Sequence, residues 1–535
     1  MKIDTHGKKS YLITLISYFC ISLIIYRIPL SVIDPCSTTI SGDLVLPMST
    51  ENYIKQFYPL WNDHLSTSNW ITISRLPLYY PFLPIIYIFQ INPINFIEVL
   101  WVITETLAGM AVFFLSFYVL RKTHSKIGKN ILTFASFISG FIYMFNPYIL
   151  QLSHHITLKL GYSLFPLYIL FLLLSFEENK LSYLVFSAFL LTLLSSTPHY
   201  TVFGLASLFF STVFFSITEK RINCITIFFK IISLYILFSA YWLIPFILAT
   251  IQGEELSPTY LLTKETVNML SRNANLVNVF QFYTGWTVDK LFANPPIAIL
   301  SPDILNVIRI LVTFVSLFSL FHIRKNKYVI FFSLILLIFV PFAGGTKIFP
   351  ELYYWLTFNF SFGWIFRAPE KLIVFIVLSI SALLAFSFKD LAKNLQKKII
   401  RPHLLLLAIL VVLISVSNWP LLTGDFNGDL TPVTVPDSFF AVNHRISHSG
   451  DFKVLWMPKY WGKTSEWNKG HATSAFDEVI SIKPTYQVTG PIKVYYFYVL
   501  GIYYGPYSVL AENRTENLGK YLSPCLLYTS PSPRD

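Results

Sequence analysis

Charge is what this sequence has least of. Only 13% of its 535 residues are Asp, Glu, Lys or Arg, whereas 54% are hydrophobic. Soluble globular chains carry roughly 25% charged residues. The shortage excludes an ordinary soluble protein and points to a polytopic membrane protein, with 17% aromatic residues to furnish interfacial belts. Cysteine is scarce too. Of the four, Cys20 and Cys224 lie in apolar runs and Cys36 in a polar stretch, so neither a disulfide framework nor a zinc-type spacing can be built. A Walker loop, a dinucleotide fingerprint, an HExxH pair and a nucleophile elbow are all absent. The sequence therefore names no cofactor, while leaving room for a divalent cation.

What charge there is leans basic, 40 Lys and Arg against 28 Asp and Glu. In a soluble chain that excess would suggest nucleic acid; here its distribution has a simpler cause, and no nucleic-acid partner is expected. Apolar runs predict about eleven transmembrane helices, with cores at 11–33, 96–120, 131–150, 162–176, 181–194, 200–217, 222–251, 304–322, 328–342, 372–388 and 404–420. With the amino terminus cytoplasmic, 47 inner-loop residues hold 18 Lys and Arg, while 158 outer-loop residues hold 9. This is the positive-inside bias. It predicts a multi-pass plasma-membrane protein with long outer loops at 34–94, 252–303 and 343–371. The first run lacks a small-x-small cleavage site and is expected to remain as an anchor. PFLPIIYIFQI (81–91) is too short to span and is expected to be interfacial or re-entrant.

A membrane domain over 1–420 is thus followed by a polar, mixed region. GDFNGDLTPVTVP reads as a turn-rich linker, and DFKVLWMP (451–458) alternates like a strand. Residues 421–524 are expected to begin an external α/β or β-rich soluble domain that is cut off. The final eleven residues, CLLYTSPSPRD (525–535), resemble an in-frame translation of a sequencing-library adapter and are set aside from fold reasoning.

Ionisable residues inside spans are costly, by ~2.5–3.5 kcal/mol each, and tend to face polar cavities. Glu105, in WVITETLAG, fits two roles, a cavity carboxylate or a hydrogen-bonded buried one. In QLSHHITLKLGY, His154 and His155 read as a solvated loop, and Lys159 as a cation for an anionic headgroup. His199, in SSTPHY, sits at an outer turn, where it either caps the turn or binds phosphate or sugar. GWIFRAPEKLIVF is the most informative stretch. Arg367 and Lys371 are four apart at the outer entrance of the tenth span, and on a helical start they share a face. Arg offers a planar fork for phosphate oxygens and Lys a point charge. Cations are scarce on the outer side, which favours a phosphate role over a snorkelling anchor. Two carboxylates follow the first span, Asp34 in VIDPC and Asp43 in ISGDLVLP.

Taken in order, these stretches resemble GT-C-type membrane glycosyltransferases, in particular the alpha-(1→3)-arabinofuranosyltransferase-type and YfhO-like families and their archaeal relatives. GDLVLP followed by YPLW is similar to their first outer loop, GFIYMFNPYILQ and FPLYIL to the third and fourth helices, and YWLIPF to a later one. FRAPEKL resembles an FR-x-P-x-K-like stretch, and VPDSFFAVNHRI with DFKVLWMP the entry to an external domain. The resemblance implies a sugar carried on a polyprenyl phosphate and transferred at the outer face to a glycan, glycolipid or glycoprotein acceptor. It also implies an acidic general base in the first outer loop. The match to GDLVLP selects Asp43 for that role, with Asp34 as the rival or a turn former before Pro35. Two other readings stand beside it, a transporter or flippase of a lipid-linked substrate and a non-catalytic membrane scaffold.

Overall fold

Within a bilayer every backbone polar group must be bonded inside the chain, and a helix achieves this segment by segment. The computed structural model describes residues 5–31, 37–41, 44–45, 61–62, 67–68, 73–89, 91, 93–123, 127–153, 155–219, 223–251, 262–285, 291–292, 295, 301–360, 362–396 and 398–447. A helix occupies each predicted apolar run. These are α1 (Thr5–Ile25), α2 (Pro93–Thr123), α3 (Lys129–Met144), α4 (Ile156–Glu178), α5 (Leu181–Leu194), α6 (Pro198–Glu219), α7 (Asn223–Ile251), α8 (Pro302–Leu317), α9 (Lys327–Ala343), α10 (Ile373–Leu395) and α11 (Pro402–Ser417). Among the described residues six stretches, in α2, α4, α6, α7, α8 and α10, are long and apolar enough to cross a membrane. Parts of α1, α5, α9 and α11 are apolar but span only 10–17 residues, where ~20 are needed for a ~30 Å hydrocarbon core.

Two boundaries differ from the sequence reading in ways that matter. The run 131–150 is broken: α3 stops at Met144, and Asn146 caps a separate helix, Pro147–Leu152, by accepting the Tyr148 N–H at 3.0 Å. Asn at the cap and Pro at the first position are what a helix start favours. Conversely α4 begins at Ile156, so Lys159 lies in a helix rather than on the expected loop 151–161.

α10 is the hub. It is almost wholly enclosed and packs against α2, α3, α8, α9 and α11. Its close approach to α2 and α3 depends on small residues. Ser116 and Ser139 hydroxyls meet at 2.7 Å, Ser139 donates to the Ser381 carbonyl at 2.6 Å, and Gly109 faces Gly140 across the α2–α3 contact. Such small-residue seams let helix backbones approach where lipid offers no hydrophobic driving force. On the other flank α4 carries α5 and α6, and α7 leans on both. The outer face of α7 presents Phe229, Leu237, Ile244 and Leu248, as a lipid-facing helix should. In the predicted interfacial stretch, a short helix (Leu83–Ile88) exposes Ile85, Tyr87 and Ile88.

A small sheet joins the stretch after α1 to the stretch after α11. β1 (Ser37–Ser41) pairs antiparallel with β2 (Leu44–Val45) and with a strand from the predicted linker, Pro432–Thr434, in the register Ser37↔Thr434 and Thr39↔Pro432. Trp61–Asn62 and Thr67–Ser68 form a second antiparallel pair. The linker is as turn-rich as expected, with Gly424, Phe426, Asn427 and Gly428 all at positive φ. At Gly424 (φ 91) the Arg27 side chain lies where a Cβ would project, while Arg27 Nη1 donates to the Leu422 carbonyl at 2.7 Å. The strand expected at 451–458 and the stretch 525–535 lie outside the described residues.

Candidate functional site

Helix packing assembles two polar centres. In the first, Glu105 of α2 and Lys159 of α4 meet with Oε2 and Nζ 3.0 Å apart, both fully buried. Tyr26, at the break after α1, donates to the same Glu105 oxygen at 3.2 Å and also bonds Lys159 Nζ, which lies 4.1 Å from the Tyr26 ring centre. Trp101 stacks on that ring, and Phe426 of the linker packs against it. Glu105 Oε1 has no hydrogen-bond partner among the described residues. Lys159, expected to face a headgroup, is instead enclosed and paired. Its helix starts six residues ahead of the expected core at 162, with the Lys159 N–H bonded to the His155 carbonyl at 2.9 Å, and the side chain reaches Glu105 of α2.

The second centre lies where α6 and α10 begin. Lys371 Nζ is 3.0 Å from His199 Nε2. Because an ammonium can only donate, Nε2 is assigned as the acceptor and His199 as the neutral tautomer with its proton on Nδ1. Arg367, Lys371 and His155 all lie within electrostatic reach of His199. The shared helical face expected for Arg367 and Lys371 is not formed. Arg367 closes one 3-10 turn (Gly363–Phe366), Ala368 is extended, and Lys371 belongs to a second turn (Pro369–Leu372). Pro369 explains the interruption, since it disfavours a helical residue before it. Both cations are within electrostatic reach of Glu370, which is half-buried and whose Oε2 has no hydrogen-bond partner among the described residues.

Aromatic side chains flank these groups. Trp364 stands edge-on to His199 at 6.2 Å, and the Tyr148 hydroxyl donates to the Lys371 carbonyl at 3.3 Å. Tyr353 donates to the Phe366 carbonyl; burial, and then the Glu370 carboxylate, push its phenol well above the ordinary range, so it remains a donor. A tyrosine layer joins the two centres. Tyr143 and Tyr162 stack at 4.1 Å, Tyr148 meets Tyr162 at 5.6 Å, and Tyr162 lies within electrostatic reach of Glu105.

The sequence reading thus named His199, Arg367 and Lys371, which come together, and Glu105 with Lys159, which form a separate pair. It passed over Glu370, Tyr148 and Trp364. Glu370 was visible between two singled-out cations, whereas Tyr148 carries no local signal. Asp34, Asp43 and His154 lie outside the described residues. No group of three or more His, Cys, Asp or Glu with metal-binding geometry occurs among the described residues.

No protein-family model matches the chain, and no curated protein does. Among solved structures it is similar to the archaeal oligosaccharyltransferase AglB from Archaeoglobus fulgidus, in complex with an inhibitory peptide and a dolichol-phosphate. Identity is 10%, the TM-score is 0.44, and the match covers 91% of this chain and 65% of that one. The chain therefore spans less than two thirds of that protein's length.

Proposed function

We propose that this membrane protein is a glycosyltransferase that moves a sugar from a polyprenyl-phosphate donor to a cell-surface glycan, glycolipid or glycoprotein acceptor. The observation that carries the reading is the 3.0 Å contact of Lys371 with a neutral His199 at the mouth of α10, with Arg367 within electrostatic reach of the same ring. In glycosyl transfer from such a donor, the acceptor oxygen attacks the anomeric carbon as the C–O bond to phosphate breaks. The negative charge gathers on the departing phosphate. Two cations held beside aromatic side chains would stabilise that charge with little reorganisation at the moment of reaction. Neutral His199 donates a further hydrogen bond through Nδ1–H. The apolar helix surfaces beside α10 accommodate the prenyl chain.

The base that accepts the acceptor's proton is assigned to Asp43, with Asp34 as the alternative, on the motif resemblance of the first outer loop. General-base assistance is worth ~10²–10⁴-fold. Glu105 and Lys159 neutralise one another and serve to hold α2, α4 and the end of α1 together.

Purified chain in detergent, assayed for binding of polyprenyl monophosphate and for sugar transfer from membrane-extracted lipid-linked donors, tests both halves. Arg367→Ala should weaken polyprenyl-phosphate binding at least tenfold, and unchanged affinity would sink the phosphate role. Asp43→Asn should keep that affinity but lose transfer. Full transfer in Asp43→Asn with loss in Asp34→Asn moves the base to Asp34. Lipid translocation without any transfer in the wild type would make the protein a flippase.

A further inference from the structure

Between α9 and α10 runs a helix whose two faces are the wrong way round for water. Pro350–Asn359 has ten residues, so it is ~15 Å long and cannot cross a ~30 Å hydrocarbon core. Its inner face carries hydroxyls. Tyr353 is 1% exposed and donates to the Phe366 carbonyl, and buried Thr357 donates to the Tyr353 carbonyl at 2.8 Å. Its outer face carries Leu352, Trp355 and Phe358, with Trp355 53% exposed. Three-residue steps place these side chains in one stripe along the helix. Glu351 and Asn359 are exposed at its two ends.

The apolar stripe continues past the helix. Phe349, Phe360 and Phe362 are exposed as well, and the Trp355 and Phe360 rings meet edge-on at 5.0 Å. A contiguous patch of large apolar side chains on a protein surface marks a docking face.

Its neighbours say what covers it. Only residues 344–349 separate the helix from apolar α9, and a stretch long and apolar enough to cross a membrane begins at Pro369. Phe362 packs against Phe246 of α7 at 6.1 Å, and beside Phe246 that helix turns Ile244, Ile247 and Leu248 outward. The patch is therefore continuous with the lipid-facing surface of the helices. Trp and Tyr are the residues that gather where a membrane meets water. Lys347, exposed just ahead of the helix, suits a phospholipid phosphate, and the polar ends suit the headgroup layer.

The helix is also clamped to the turn that leads to Arg367. The Gly363 N–H bonds the Phe360 carbonyl at 2.8 Å, and a Cβ on Gly363 would run into the Thr357 carbonyl. Glycine there lets the turn Gly363–Phe366 lie directly on the helix end. Through this contact and the Tyr353–Phe366 bond, the depth of the helix sets the depth of Arg367.

We propose that Pro350–Asn359 is a membrane-interface anchor, lying in the plane of the bilayer with Leu352, Trp355 and Phe358 about 5–10 Å into the headgroup–acyl boundary. The occupant of the face is phospholipid. The assignment stands independently of the transfer reading.

For the test, the native cysteines of the full chain are replaced by Ser and Trp355→Cys is labelled with bimane. The protein is reconstituted into phosphatidylcholine vesicles that carry a nitroxide on the headgroup, high on the acyl chain, or at the chain end. The two shallow nitroxides should quench the label at least twofold more than the chain-end one. Phe358→Cys serves in its place if Trp355→Cys does not fold. Weak quenching by all three, with free access for aqueous iodide, puts the face in water and overturns the proposal. Strongest quenching from the chain end overturns it too, because the helix then lies in the hydrocarbon core. Protection from iodide and from every nitroxide, lost as the protein is diluted in lipid, means a second copy covers the face and likewise overturns it.

Discussion

A buried lysine needs a counter-charge, and Lys159 has one in Glu105 at 3.0 Å. Removing one member of such a pair strands the other, at ~3–5 kcal/mol, whereas removing both costs far less. Lys159→Met and Glu105→Gln should therefore each lower the thermal stability of the purified chain steeply, and the double variant should recover most of the loss. Additive losses would mean the two groups are not coupled. The sequence alone marked Glu105 as an ionisable residue inside an apolar run, hence a group with a partner. It did not identify Lys159 as that partner, because the pairing depends on how α2 and α4 pack. Lys371 and His199 follow the same pattern. Lys371 was noticed with Arg367 and His199 separately, and their 3.0 Å contact is a through-space fact.

At the scale of elements, the seam between α2, α3 and α10 depends on residues too small to draw attention in a sequence. A Cβ on Gly140 would run into the Gly109 carbonyl and the Tyr18 hydroxyl, and a backbone carbonyl cannot step aside. Gly128, at the start of α3, has open space around the same position. Gly140→Val should accordingly cost at least 1–3 kcal/mol, the usual range for overpacking, with lower yield of folded protein. Gly128→Ala should leave both unchanged. Melting curves of the two variants side by side check this, and equal melting points would show that the seam has slack. The helices themselves were legible because hydropathy is a local property. The break at Asn146 was legible only in principle. Asn-Pro is a helix-start signal, but it sat inside an apolar run that reads as continuous.

For the whole molecule, the outer-face reaction depends on orientation. In a background with the native cysteines replaced by Ser, Lys264→Cys at the start of the short helix Lys264–Leu270 should react with an impermeant maleimide on intact cells. Lys180→Cys at the α4–α5 turn should react only after permeabilisation. Both positions are exposed. The reverse pattern would put His199, Arg367 and Lys371 on the cytoplasmic side and end the surface-glycan reading.

Composition and hydropathy were enough to assign a helical membrane protein and the places of its apolar helices, because burial in lipid acts on each segment separately. The loop charges by themselves predict an orientation, because Lys and Arg are retained on the side where they are made. Only the tertiary structure decided which polar residues meet. It paired Glu105 with Lys159, brought Lys371 to His199, and joined β1 to the strand at 432–434. Those contacts cross long stretches of chain. They follow from how helices stack around α10, which no local window of residues encodes.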